Sequence, residues 1–232
     1  MSVRKFIKSL SKTARQGAEA PDFYKEYALL FEESGPQKED LLMDLTYAVI
    51  DTEATGLDHD VDEIVSFGGV VLRDFTISIE ESISIYFAGR NVTDRKALEI
   101  HGLLPNEENA EEELTGLKKI LQFVGNKILV GHFLGFDIRM INTLLAKYQC
   151  PPLKNIVMDT SEFAKRLDFP LRNYQFAVHK QYTLDALCAR FGVIPKARHT
   201  AAGDAYITAI LFQKLLYEFR NKGILYFKDI NK

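Results

Sequence analysis

The sequence predicts an α/β fold, one mixed β-sheet flanked by α-helices, with a short helical extension at its N-terminus. Two observations carry this expectation. Strand-like runs come first as a group, between Tyr47 and Phe87, and short apolar runs then alternate with helical stretches from Glu111 to Phe219. One mixed sheet with helices on its faces accommodates that order.

Length and charge narrow the rest. The chain has 232 residues, which fits one domain with an appendage, and its charges sum to −3. That balance excludes a generically basic nucleic-acid coat and leaves room only for a local basic patch. Hydrophobic residues at 47% are enough for a real core. No apolar run approaches the ~20 residues of a membrane helix, so a soluble protein with no membrane partner is expected. Cys150 and Cys188 are lone and far apart. They predict a reduced, cytoplasmic setting, no zinc cluster, and two small buried side chains.

The elements follow in chain order. Met1 to Gly17 carries Arg4, Lys5, Lys8, Lys12 and Arg15 with no acid, and Val3, Phe6, Ile7 and Leu10 at helical spacing. A docking helix with a solvated basic face is the plainer reading, an organelle transit peptide the other. A second helix follows Pro21, with Phe23, Tyr27, Leu30 and Phe31 on one stripe, and Ser34-Gly35-Pro36 breaks it. Residues 1–43 therefore form the extension and 44–232 the main domain.

Within that domain Tyr47 to Ile50 is a short strand running into acid, Glu63 to Leu72 a second, and Thr76 to Phe87 a half-buried strand or hairpin with isoleucines at period two. Thr93 to His101 and Glu111 to Val124 read as helices. Ile128 to Val130 is a buried strand before a helix from Ile138 to Tyr148, and Ile156 to Met158 another before Thr160 to Leu167. Thr183 to Phe191 and Thr200 to Phe219 are the last helices.

Three acidic clusters stand at the ends of these elements. In Asp51-Thr52-Glu53-Ala54-Thr55-Gly56, alternation along a strand puts Asp51 and Glu53 on the same face, a costly pairing unless a cation lies between them. The downstream acids Asp58, Asp60 and Asp62 read as a solvated loop. In Gly131-His132-Phe133-Leu134-Gly135-Phe136-Asp137, the last residue shares the helical face of Ile141, Leu144, Leu145 and Tyr148. An acid there is ordinarily a cap; facing the core sets this one apart. Asp204 shares the face of Thr208, Leu211 and Leu215. His199, five residues earlier, would point ~140° away in a continuous helix, so it belongs to the preceding loop, with Thr200 as the cap. Inward acids on separate elements, with one histidine, fit divalent-metal phosphoryl chemistry on Mg²⁺ or Mn²⁺, the histidine taking a proton from attacking water.

These three motifs resemble those of the DEDDh 3′–5′ exonucleases, the DnaQ-like group that includes the epsilon subunit of DNA polymerase III and ribonuclease T. The resemblance runs from about Leu45 to Leu216, with smaller matches at Ile100-His101-Gly102, Asp159-Thr160, Tyr182-Thr183-Leu184 and Phe191-Gly192. It implies a ribonuclease H-like fold that releases nucleoside 5′-monophosphates from a single-stranded 3′ end of DNA, or of RNA. By position, Asp51, Glu53, Asp137 and Asp204 would hold two metal ions, Mg²⁺ or Mn²⁺, and His199 would be the general base. Thr52, Ala54, Thr55, Gly56, Leu57, His132 and Phe136 would meet substrate, Leu57 against the terminal base. Phe133 stands where the family commonly has Asn, a departure that bears on substrate contact.

Other features have quieter readings. Arg139, Arg166, Arg172, Lys180, Lys196 and Arg198 flank the motifs as mostly solvated charges available to a phosphate backbone, and Phe176 and Tyr182 read as core before stacking surfaces. The chain ends soon after its last predicted helix, so a stand-alone nuclease is expected, or one whose protein partner docks on the N-terminal extension. Two rivals have different chemistry. A non-catalytic binding module of the same fold would have lost a ligand, and a nucleotide hydrolase would more naturally carry a GxxxxGK[ST] loop, which is absent.

Overall fold

The computed structural model describes residues 19–33, 35–89, 110–170 and 173–230. The helices expected at 1–17 and 93–101, the match at 100–102 and Arg172 lie outside them. Among the described residues the order is α1 (Asp22–Glu33), β1 (Tyr47–Ala54), β2 (Ile64–Arg73), β3 (Thr76–Tyr86), α2 (Glu113–Val124), β4 (Ile128–Gly131), α3 (Gly135–Lys147), β5 (Val157–Asp159), α4 (Thr160–Asp168), α5 (Leu184–Phe191), α6 (Ala201–Asn221) and α7 (Phe227–Ile230). The segment at 76–87, open between strand and hairpin in the sequence, is one edge strand.

The sheet runs β3-β2-β1-β4-β5. β1 pairs antiparallel with β2 and parallel with β4, and β4 parallel with β5, so the sheet is mixed as predicted. Each face carries a core. Tyr47 and Val49 of β1 pack with Phe212, Leu215 and Phe219 of α6 and with α4 and α5. Ala48 and Ile50 point the other way, onto Leu117 and Ile120 of α2 and Ile141 and Leu145 of α3. Burying each large side chain is worth ~1.5–3 kcal/mol, which fixes the register of β1 against a one-residue slip.

Described residues of the N-terminal extension share this core. Tyr24 and Tyr27 of α1 are buried beside α2. The Tyr27 hydroxyl donates to Asn155 Oδ1 at 2.6 Å, and that of Tyr24 to the Pro152 carbonyl at 2.8 Å. The C-terminal turn closes over the stretch before β1, where Leu41 bridges Tyr226.

One glycine positions the site. Asp51 pairs across the sheet with Gly68, and a Cβ on Gly68 would lie 2.2 Å from backbone atoms of Ala201 and Ala202. The bare backbone lets the N-terminus of α6 settle beside Asp51. Gly68→Ala should destabilise the fold by ~1–3 kcal/mol through overpacking and push Asp204 away from Asp51. A thermal melt and a turnover assay on the same preparation check both effects.

Candidate active site

The carboxyl ends of β1 and β4 and the start of α6 meet at one place. Along β1, Asp51 and Glu53 continue the Tyr47–Val49 row toward α6, and Thr52 continues the opposite row toward α3. A register irregularity between Glu53 and Ala54 ends the regular pairing there, a device common beside functional sites. From α6, Asp204 enters in the first turn, 7% exposed. Asp51, Glu53 and Asp204 each bring an oxygen within 4.8 Å of the other two.

Asp137 is not one of those three. It is buried at the start of α3, and its Oδ1 accepts from the Thr52 amide at 2.8 Å and the Thr52 hydroxyl at 2.7 Å. This tie holds it beside Asp51, whose proton affinity it raises. Desolvation first, then Asp137, Asp204 and Glu53, carry the Asp51 carboxyl well above the usual carboxylate range. Burial and then Asp204 raise Glu53, with His199 and Arg198 opposing. Burial also pushes Asp137 up to about 6, against its Thr52 bonds. Carboxylates that resist ionising together could hold a hard cation.

His199 lies just outside α6 with φ of 64°, and Thr200 caps the helix by accepting from the Gly203 amide at 3.1 Å. This is the loop position expected. Its side chain is exposed, close enough to Glu53 to favour that group's ionised form, and its amide donates to Asp204 Oδ2 at 3.3 Å.

His132, after β4, is half-buried with Nδ1 2.8 Å from the Thr160 hydroxyl, and burial lowers its pKa to about 4, so the ring is neutral near pH 7. Phe136 is half-buried one residue before Asp137. Leu57 is 88% exposed, so it is not core. Ala54, Thr55 and Gly56 lie at the strand end and the following loop. The Thr55 hydroxyl donates to Asp62 Oδ1 at 2.8 Å, and the Asp58 amide donates to Asp62 Oδ2 at 2.8 Å.

That last contact corrects the reading of Asp62 as a solvated loop acid: it locks the loop after β1. Two other flanking residues are corrected with it. Arg166 donates to the carbonyls of Asp229 and Ile230 instead of steering phosphate. Arg198 pairs with Asp204 and donates through Nε to Asp185 at 2.8 Å, so it is part of the site's charge balance. Tyr182 is buried, as the core reading had it, whereas Phe176 is 64% exposed and is not core. Asp159 belongs to one of the smaller matches, and its role comes from the fold. It caps α4 through the Ser161 amide and accepts from the Leu134 amide at 2.8 Å, fixing the turn between His132 and Asp137.

The comparisons with known proteins agree with this geometry. The family model described as Exonuclease, of the ribonuclease T type, matches residues 48–212. The DNA polymerase III subunit epsilon of Aquifex aeolicus is 31% identical over 185 residues, covering 77% of this chain and 84% of that protein. The PolC-type DNA polymerase III of Thermotoga petrophila is 30% identical over 189 residues, 80% of this chain but 13% of that much longer one. In fold, E. coli exonuclease I in complex with a dT13 oligonucleotide superposes with a TM-score of 0.62 at 17% identity, over 77% of this chain and 42% of that one. That likeness accounts for the ribonuclease H-like sheet. With the motif acids on three elements and a matched span running from β1 into α6, the chain belongs to the DnaQ-like 3′–5′ exonuclease family.

Proposed function

We propose that this exonuclease removes nucleoside 5′-monophosphates one at a time from the 3′ end of single-stranded DNA, with two divalent cations, Mg²⁺ or Mn²⁺, held by Asp51, Glu53, Asp137 and Asp204. The observation that carries the reading is the convergence of Asp51, Glu53 and Asp204 within 4.8 Å, with proton affinities of Asp51 and Glu53 raised by their surroundings. When bound, the cations supply charge to polarise the scissile phosphate and acidify the attacking water.

The protein's own groups do the rest. The exposed imidazole of His199 accepts the proton of the water. Thr52 holds Asp137 against β1, and Asp159 holds the turn that delivers it. The neutral ring of His132, with Phe136, contacts the terminal nucleotide. Leu57 offers an apolar tip to its base, and Thr52, Ala54, Thr55 and Gly56 line the same edge. The dT13 oligonucleotide bound by exonuclease I and the DNA polymerase III named for the epsilon relative favour DNA over RNA. A protein partner is to be sought on the N-terminal extension, where Leu29 and Leu30 of α1 are exposed.

End-labelled single strands of DNA and RNA, free or carrying a bulky group on the 3′ hydroxyl, test polarity and sugar preference together. The expected outcome is faster loss of DNA, arrested by the 3′ block and untouched by a 5′ block. Efficient cutting of closed circular DNA would contradict the reading.

A further inference from the structure

Beyond the carboxylates, the structure builds a row of aromatic rings starting on the turn after β4. His132 sits against Phe133 with ring centroids 4.4 Å apart, and Phe133 stacks on His179 at 5.0 Å with planes 9° apart. Phe133 holds this place with φ of 53°, a left-handed conformation that Asn enters far more readily than Phe. The aromatic side chain is therefore kept at a position whose backbone disfavours it.

The outer ring is well supported. His179 opens a short 3₁₀ turn, His179–Tyr182, whose far end is fixed in the core. Tyr182 is 2% exposed and donates its hydroxyl to Asp168 Oδ2 at 2.7 Å, and Arg190 grips both oxygens of that carboxylate at 2.6 and 2.7 Å. His179 itself is exposed, and its neighbours Phe176 and Val178 are 64% and 55% exposed. A rigid aromatic face open to water, one ring beyond Phe133, has the chemistry of a base-stacking platform.

We propose that His179, stacked on Phe133, receives a nucleobase upstream of the 3′-terminal one. The assignment rests on the exonuclease reading above. It places the second base contact at the turn after β4, with Leu57 on the loop after β1. Tandem contacts of this kind favour single strands over single nucleotides, because a mononucleotide has no second base to stack.

The test compares the wild-type chain with His179→Ala and His179→Phe in Mn²⁺, on a ten-nucleotide oligothymidylate and on thymidine 5′-p-nitrophenyl phosphate. Stacking on an aromatic side chain is worth ~1–3 kcal/mol per base. His179→Ala should therefore raise KM for the oligonucleotide ~5- to 150-fold at unchanged kcat, and leave both constants for the mononucleotide ester unchanged. His179→Phe should restore the oligonucleotide KM. The salt dependence of that KM should be the same in all three proteins, since a stacked ring neutralises no phosphate. An unchanged oligonucleotide KM in His179→Ala, or equal losses on both substrates, would overturn the platform while leaving the nuclease reading standing. A wild type inactive on both substrates would overturn that reading and the platform with it.

Discussion

Asp51→Asn should lower exonuclease turnover by ~10³-fold or more and at the same time raise the melting temperature of the metal-free protein. The loss follows from removing a carboxylate at the centre of the cluster, where several kcal/mol of transition-state stabilisation originate. The gain follows from the direction of the proton affinities. Asp51, Glu53 and Asp137 all bind their protons more tightly folded than unfolded.

The sign of the pH dependence is set by that ordering. Below the ordinary carboxylate range both states are protonated and the three groups do not oppose folding. As pH rises, the unfolded chain ionises first, and stability falls until the folded groups follow, at about 6 for Asp137. Above the unfolded chain's carboxylate range, burial and mutual repulsion oppose folding, and an amide at position 51 removes the Asp51 part of both. The melting temperature of Asp51→Asn without metal should thus exceed the wild type's by several degrees at pH 7.5, and the gap should narrow toward pH 4. Melting curves at the two pH values, with EDTA, read this directly. Added Mn²⁺ should raise the wild type's melting temperature at pH 7.5 and do so far less for the variant.

His199→Ala should lower turnover by ~10²–10⁴-fold while leaving Mn²⁺ affinity nearly intact. The histidine is exposed on the loop before α6 and is not among the three groups that converge within 4.8 Å. Calorimetric titration of Mn²⁺ into His199→Ala and Asp204→Ala separates the two roles. Equal loss of metal affinity in both would make the histidine part of the metal site.

Much of this site was legible from local pattern. Alternation in β1 put Asp51 and Glu53 on one face, helical spacing turned Asp137 and Asp204 inward, and Thr200 before an apolar helix marked the cap that leaves His199 in the loop. What pattern could not show were pairings between residues far apart in the chain. Thr52 and Asp137 are 85 residues apart, and nothing in either segment names the other. Arg198 looked like one more flanking cation until the fold set it between Asp185 and Asp204. Asp62 was lost in a run of surface acids because only the turn geometry brings it back onto Thr55. The close approach of α6 to Gly68 was hidden for the same reason: a glycine in a strand has several readings until its neighbour is known.

The most direct measurement is a time course on a 5′-labelled single-stranded oligonucleotide, run with Mn²⁺, with EDTA, and with Asp51→Asn in Mn²⁺. The expected result is a ladder that shortens by one nucleotide at a time from the 3′ end in the first reaction only. Undiminished digestion in EDTA or by Asp51→Asn, or internal cuts that precede any shortening, would contradict a carboxylate-held metal centre acting on a 3′ terminus.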